Sequence, residues 1–273
     1  MSQSPRAHES RNHFTWILII IAVVGLVLLT LPTVAMVVRA IGARDVLDDP
    51  RSRTLLREAL VLSLWTSLLS LVIIVVIGTP IAWVLARVDF PGRTIVDALI
   101  DLPIILPPAV AGIALLSAFG RRGLLGGWLE DVGITVGFTT TAVIMAQIFV
   151  SAPFYIRTAR AGFTRLDRTI EEAAADLGAA PWRVFWTVTL PLCRASLIAG
   201  AVLAWARALG EFGATIMFAG NRSGVTQTMP LAIYERFGAG DLETALVMSG
   251  ILLIASVSFL VIVRLMGEQG APR

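Results

Sequence analysis

Glu171–Arg194 reads EEAAADLGAAPWRVFWTVTLPLCR. The stretch is acidic and Ala-rich at one end and aromatic at the other. Long segments apolar enough for a bilayer lie on both sides of it. Read as local structure, Thr169 and Glu172 fit a T-x-x-E capping box, so a short helix is expected to begin at Thr169. Ala173, Ala174 and Ala175 favour helix and leave a thin, smooth face. Gly178 can take the left-handed position that ends it. Pro181 suits the first turn of a second helix. There Trp182, Phe185, Trp186 and Thr189 are expected on one face, at the membrane interface, with Pro191 marking the end or a kink. These features alone leave an ordinary interfacial loop open beside a surface built to touch another protein.

The flanks decide the class. Of 273 residues, 56% are hydrophobic and 15% charged, against about 25% charged in soluble domains. The chain is read as an all-α membrane protein. A span needs about 20 mostly apolar residues, and six candidates meet that requirement: Phe14–Val38, Leu55–Ala86, Ala98–Phe119, Phe138–Ile156, Ala195–Ala219 and Thr244–Met266. The first exceeds a signal peptide's apolar core and is read as a retained helix. Arg157, Arg160, Arg165, Arg168, Arg183 and Arg194 cluster between the fourth and fifth spans, which places that loop and both termini in the cytoplasm. Arg39, Arg44, Arg51 and Arg53 in the first external loop run against the rule, and the larger cluster is preferred. Residues 1–13 are expected as a disordered cytoplasmic tail and 267–273 as a second cytoplasmic tail.

Residue types exclude several chemistries. Lys is absent, so no P-loop can form. His8 and His13 both precede the first span, which leaves no His within the spans for a metal, triad or proton relay. Cys193 is the single cysteine and is read as a passive thiol. An intramembrane hydrolase would need a Ser–His pair, an Asp pair or a metal set. An ion-coupled secondary transporter would need coupling sites near the midplane, and Arg207 with Glu211 is thin support for them.

The order Glu172-Ala173-Ala174, Gly178, then Val188-Thr189-Leu190-Pro191 resembles the EAA motif of permease subunits of ABC importers, with Val188 where Ile is more usual. DLPIILPPAVAGIALL (101–116), GRRGLLG (120–126), ARALGEFGATIMFAGN (206–221) and TQTMPLAIY (226–234) are similar to molybdate permease subunits of that type I family. Sulfate and thiosulfate permeases are near relatives. The resemblance implies an importer transmembrane domain over 55–266. The chain would carry molybdate or tungstate across a prokaryotic cytoplasmic membrane without being an enzyme itself. Glu172, Ala173, Ala174, Gly178, Leu190 and Pro191 would contact the ATPase. The implied partners are a second copy of this chain, two cytoplasmic ATP-binding subunits that hold the ATP and Mg, and an extracytoplasmic oxyanion-binding protein. Neither a cofactor on this chain nor nucleic acid is implied.

Two constellations are candidates for the path. Pro103, Pro107 and Pro108 each remove a backbone donor from the third span. In lipid this is tolerated only where protein or a water-filled cavity satisfies the freed carbonyls. Pro107 and Pro108 therefore either line the path or form a packed kink. Arg207 and Glu211 lie four apart on one helical face and either border the path or lock two helices together. Arg121 and Arg122, in the external loop, are candidates for contact with the binding protein, or for simple solvation.

Overall fold

The computed structural model describes residues 5–268, and every regular element among them is helical. In order these are α1 (Pro5–Gly42), a 3-10 turn (Arg44–Asp48), α2 (Pro50–Arg87), α3 (Arg93–Ile105), α4 (Pro108–Phe119), α5 (Gly126–Asp131) and α6 (Thr140–Arg165). They are followed by α7 (Arg168–Asp176), α8 (Pro181–Val184), a π turn (Phe185–Thr189), α9 (Leu190–Leu209), α10 (Gly213–Phe218), α11 (Met229–Gly238) and α12 (Leu242–Glu268). Helix α1 starts before the expected Phe14 and runs past Val38. Residues 1–4 and 269–273 of the two expected tails lie outside the described residues.

Among the described residues, five stretches are long and apolar enough to cross a membrane: Thr15–Gly42, Pro50–Arg87, Thr140–Arg165, Pro181–Leu209 and Leu242–Val263. The expected third span is not one straight helix. It is the pair α3 and α4, bent by 117°. Pro103 is buried inside α3 without breaking it. The break falls at Leu106 and Pro107, whose ψ angles are 132° and 137°. Each precedes a proline, and the ring of a following proline pushes a residue out of the helical region. Counting this pair as one span gives six. The expected fifth span, Ala195–Ala219, is also divided: α9 ends at Leu209, Gly210 caps it, and α10 is a separate short helix.

The centre of the bundle is α2 against α6 and α9, around Ile74, Ala82, Leu85, Tyr155, Ala159, Phe163 and Ala204. Small residues set the spacing. A Cβ on Gly78 would lie 2.9 Å from the Tyr155 ring, and one on Gly162 only 2.4 Å from Ser196 Cβ. Without a hydrophobic drive between helices in lipid, such close packing and interhelical hydrogen bonds hold the bundle. Ser63, Thr66, Ser67 and Ser70 form a buried polar row on α2. Gln147 of α6 donates to Thr66 Oγ1 at 3.2 Å and accepts from Ser70 Oγ at 2.9 Å.

These contacts define two ends. At one, the loops 120–139 and 219–228 meet: Phe138 N–H donates to Phe218 O at 3.1 Å, and Thr140 Oγ1 to Val225 O at 2.8 Å. At the other, the end of α2, the start of α3 and the end of α6 gather around α7. Arg160 of α6 pairs there with Asp97 of α3, and Arg157 lies 3.6 Å from Asp101.

Candidate functional site

Helix α7 forms as a separate element because its signals are local. The capping box is not what starts it. Asp167 is the N-cap, accepting from the Thr169 amide at 3.0 Å. A carboxylate two residues earlier satisfies the Thr169 amide, so Thr169 falls inside the helix. The Thr169 amide and hydroxyl hold the fully exposed Asp167 carboxyl below its ordinary range. The stop signal is where the sequence puts it. Gly178 has φ +86°, Ala179 N–H reaches Ala174 O at 3.1 Å, and Gly178 N–H reaches Ala175 O at 2.8 Å. These two bonds form a Schellman motif, which requires the left-handed residue that Gly supplies.

No residue of α7 is fully buried. Glu172 and Ala173 are exposed and Ala174 is half-buried. At the tip, Leu177 is 90% exposed. Glu171 faces the other way. Its Oε2 lies 2.8 Å from Arg87 Nη2, and its Oε1 accepts from Thr189 Oγ1 at 2.5 Å. Arg87, the last residue of α2, also donates to Leu166 O at 3.2 Å, and Arg168 donates to Arg87 O at 3.4 Å. Sequence reasoning missed this cluster. The available signal was that adjacent residues on a helix point about 100° apart, so Glu171 and Glu172 present different faces of α7.

Pro191 does not end the helix that holds it. Pro181–Leu209 continues through it, and the irregularity lies just upstream, in the π turn Phe185–Thr189, where Leu190 N–H bonds to Phe185 O. A proline inside a helix has no N–H, and its ring crowds the carbonyl four residues back. Widening the preceding turn relieves that contact. The extra residue also divides the expected aromatic face. Trp182 and Trp186 are exposed, Phe185 packs edge-on against Trp83 at 5.9 Å, and Thr189 is buried. Leu190 and Pro191 open α9. An open apolar groove of about 520 Å³, lined by Val76, Pro80, Tyr155, Trp186, Leu190 and Leu197, lies beside the π turn.

The two path candidates come together at the helix breaks. A Cβ on Gly213, the first residue of α10, would sit 2.4 Å from Pro108 Cβ; on Gly112 of α4 it would sit 2.6 Å from Met217 Cβ. The α3–α4 break and the α9–α10 break therefore face each other. Between α9 and α10, Glu211 is 1% exposed. It accepts from the Ala214 amide at 2.7 Å, which caps α10, and its second oxygen lies 2.7 Å from Arg207 Nη1. Arg207 remains 29% exposed. The pair thus fixes the break while presenting part of the guanidinium outward. Pro107 and Pro108 are exposed on the surface of the chain. In the loop at the far end, Arg121 pairs loosely with Glu130 at 3.4 Å, both exposed. Arg122 is exposed and has no ion pair among the described residues. No group of three or more His, Cys, Asp or Glu side chains is placed to hold a metal among the described residues.

Residues 78–268 match the family described as binding-protein-dependent transport system inner membrane component. The molybdenum transport system permease protein of Mycobacterium tuberculosis is 44% identical over 239 residues, covering 86% of this chain and 88% of that protein. The sulfate transport system permease protein of Escherichia coli is 42% identical over 185 residues, covering 68% of this chain and 67% of that one. Among solved structures, a bacterial ABC transporter involved in the import of the acidic polysaccharide alginate has a subunit with TM-score 0.75 over 95% of this chain and 96% of its own, at 15% identity. At that identity the likeness is one of fold.

Proposed function

The chain belongs to the inner membrane components of binding-protein-dependent transport systems, and from that premise we propose that it is the permease subunit of an ATP-driven molybdate importer. The observation that carries this is the 44% identity to a molybdenum permease that extends over 88% of the relative. The chain is a multi-pass inner membrane protein with the type I transmembrane fold, and its own role is transport. Sulfate is the second reading, favoured by the 42% identity to a sulfate permease.

In this reading the α7 end faces the cytoplasm, as do both termini. Its support is the gathering there of Arg157, Arg160, Arg165, Arg168, Arg183 and Arg194. Helix α7 then docks in a cleft of an ATP-binding subunit, presenting Glu172, Ala173 and the exposed Leu177 tip, while Gly178 closes the turn. Two such subunits hold ATP and Mg, and a second copy of this chain completes the path. Pro107, Pro108 and the Arg207–Glu211 pair border that path where the two helix breaks meet. A binding protein delivers the oxyanion at the opposite end, near Arg121 and Arg122. Molybdate and sulfate share charge and tetrahedral shape. With Arg207 already neutralised by Glu211, the spans offer little to separate them, so selection by size falls to the binding protein.

The test is reconstitution with the cognate ATP-binding subunit and binding protein. Molybdate uptake should require ATP, with excess sulfate competing poorly. Equal uptake of the two would overturn the molybdate assignment. Uptake driven by a proton or sodium gradient and indifferent to ATP would overturn the importer reading altogether.

A further inference from the structure

Helix α7 has no fully buried residue, so whatever pushes on it must be passed inward through a few side-chain contacts. Among its acidic side chains, Glu172 and Asp176 are exposed, and no ion pair or hydrogen bond holds either. Glu171 alone among them reaches two other elements: the end of α2 through Arg87 at 2.8 Å, and the π turn through Thr189 at 2.5 Å. Both contacts are sheltered. The Arg87 side chain is 8% exposed, that of Glu171 18%, and Thr189 1%.

We propose that Glu171 is a positioning residue that transmits displacement of α7 to α2 and α9 together. The proposal rests on the reading that α7 docks on the ATP-binding subunit. Three features suit the cluster to that task. One carboxylate bonds both helices, so neither can move relative to α7 without stretching a charge-assisted hydrogen bond, the strong kind. The receiving element at Thr189 is a π turn, whose ladder is already irregular and which commonly marks functional sites. The groove beside it leaves room for the turn to shift. On the other side of the contact, Arg87 Nε is buried without a hydrogen-bond acceptor. A buried guanidinium with an unused donor is not at its best-satisfied arrangement, as befits a contact that must remake itself during a cycle.

The chain supplies its own reporter. Cys193, the single thiol, sits one turn beyond Thr189, 4% exposed and packed in the cluster that holds Leu85 and Ala86. Movement of α9 away from α2 would expose it.

The experiment compares wild type, Glu171→Gln, Thr189→Val and Leu177→Arg, each assembled with the ATP-binding subunit and binding protein in proteoliposomes. It measures subunit binding, molybdate moved per ATP hydrolysed, and the rate at which a maleimide labels Cys193. Glu171→Gln should keep subunit binding yet lower molybdate moved per ATP by about 10-fold or more, the ratio set by losing one charge-assisted hydrogen bond. It should also speed Cys193 labelling, through movement and through loss of the carboxylate charge near the thiol. Thr189→Val keeps that charge and the ion pair, so it should lose less transport, and any faster labelling in it reports movement alone. An unchanged transport ratio in Glu171→Gln overturns the proposal. So does loss of subunit binding in that variant, because Glu171 would then belong to the docking surface. Leu177→Arg tests the underlying reading separately: it should abolish subunit binding, and normal binding there would refute docking through α7 itself.

Discussion

Replacing Glu211 by Gln tests the Arg207–Glu211 pair most directly. The carboxylate is 1% exposed and has two partners, the Ala214 amide and Arg207 Nη1, each at 2.7 Å. Removing one partner of a buried ion pair costs about 3–5 kcal/mol, because a charge is left unpaired. Two features lower that here. The amide of Gln can still cap α10, and Arg207 is 29% exposed, so water can reach part of it. The expected loss is about 2–3 kcal/mol. Arg207→Met leaves the carboxylate with the Ala214 amide as its remaining partner and should cost about as much. The double change removes both charges and keeps the cap, and should cost only about 1–2 kcal/mol. The coupling energy is then about 3 kcal/mol, at the upper end for residues in contact. Reversible unfolding of the purified subunit in mixed micelles, titrated with a denaturing detergent, measures all four corners of the cycle. Losses that add to within about 0.5 kcal/mol would show that the two side chains do not interact.

Other perturbations give equally definite outcomes. Gly178→Val forces a β-branched residue to φ +86°, a cost of about 1–2 kcal/mol; capture of the ATP-binding subunit should weaken while insertion persists, and unchanged capture would refute the role of the turn. Gly213→Ala places a Cβ 2.4 Å from Pro108 Cβ and should destabilise by about 1–3 kcal/mol through overpacking, whereas Gly25→Ala, with nothing within 4 Å, should be silent in the same unfolding assay. The folded-state pKa of Asp167 lies below its unfolded value, so its cap on α7 is fully present above the unfolded value, about 3.9, and is lost as pH falls through the folded one. Hydrogen exchange at the Thr169 amide should therefore lose protection on acidification in wild type but not in Asp167→Asn, and identical profiles would remove Asp167 as the cap.

Much of this fold is legible because a bilayer imposes long apolar runs, and such runs need no tertiary context to be recognised. The Pro107–Pro108 pair likewise announces a break, since each proline constrains the residue before it. What the sequence conceals is how the chain redirects after such a break. Nothing in Ala195–Ala219 indicates that Glu211 turns back to cap α10, since the same residues continue a helix equally well on hydropathy. The choice of Asp167 over Thr169 as cap is close in another way, because both residue types serve and only the backbone geometry at the start of α7 decides between them. Glu171 was hidden for a third reason. Its partner Arg87 lies 84 positions earlier, at the end of another helix, and pairings at that separation leave no mark in local spacing.

The two ion pairs differ in a way that assigns them different tasks. Arg207 and Glu211 lie four residues apart at the end of α9, and the Glu caps the short helix that follows. All three groups lie within one short stretch of chain, so the pair can persist while α9 moves as a body. It stabilises the break and offers a fixed partial positive charge wherever that break goes. Arg87 and Glu171 belong to α2 and α7, elements far apart in sequence whose link is this one ion pair and its neighbouring hydrogen bonds. Their separation must change if α7 moves against α2. A pair of the first kind cannot report relative motion, and one of the second kind cannot avoid it. In the proposed importer, sensing of an ATP-driven movement would therefore belong at Arg87–Glu171, and what an oxyanion would encounter at Arg207 would follow from where α9 had carried it.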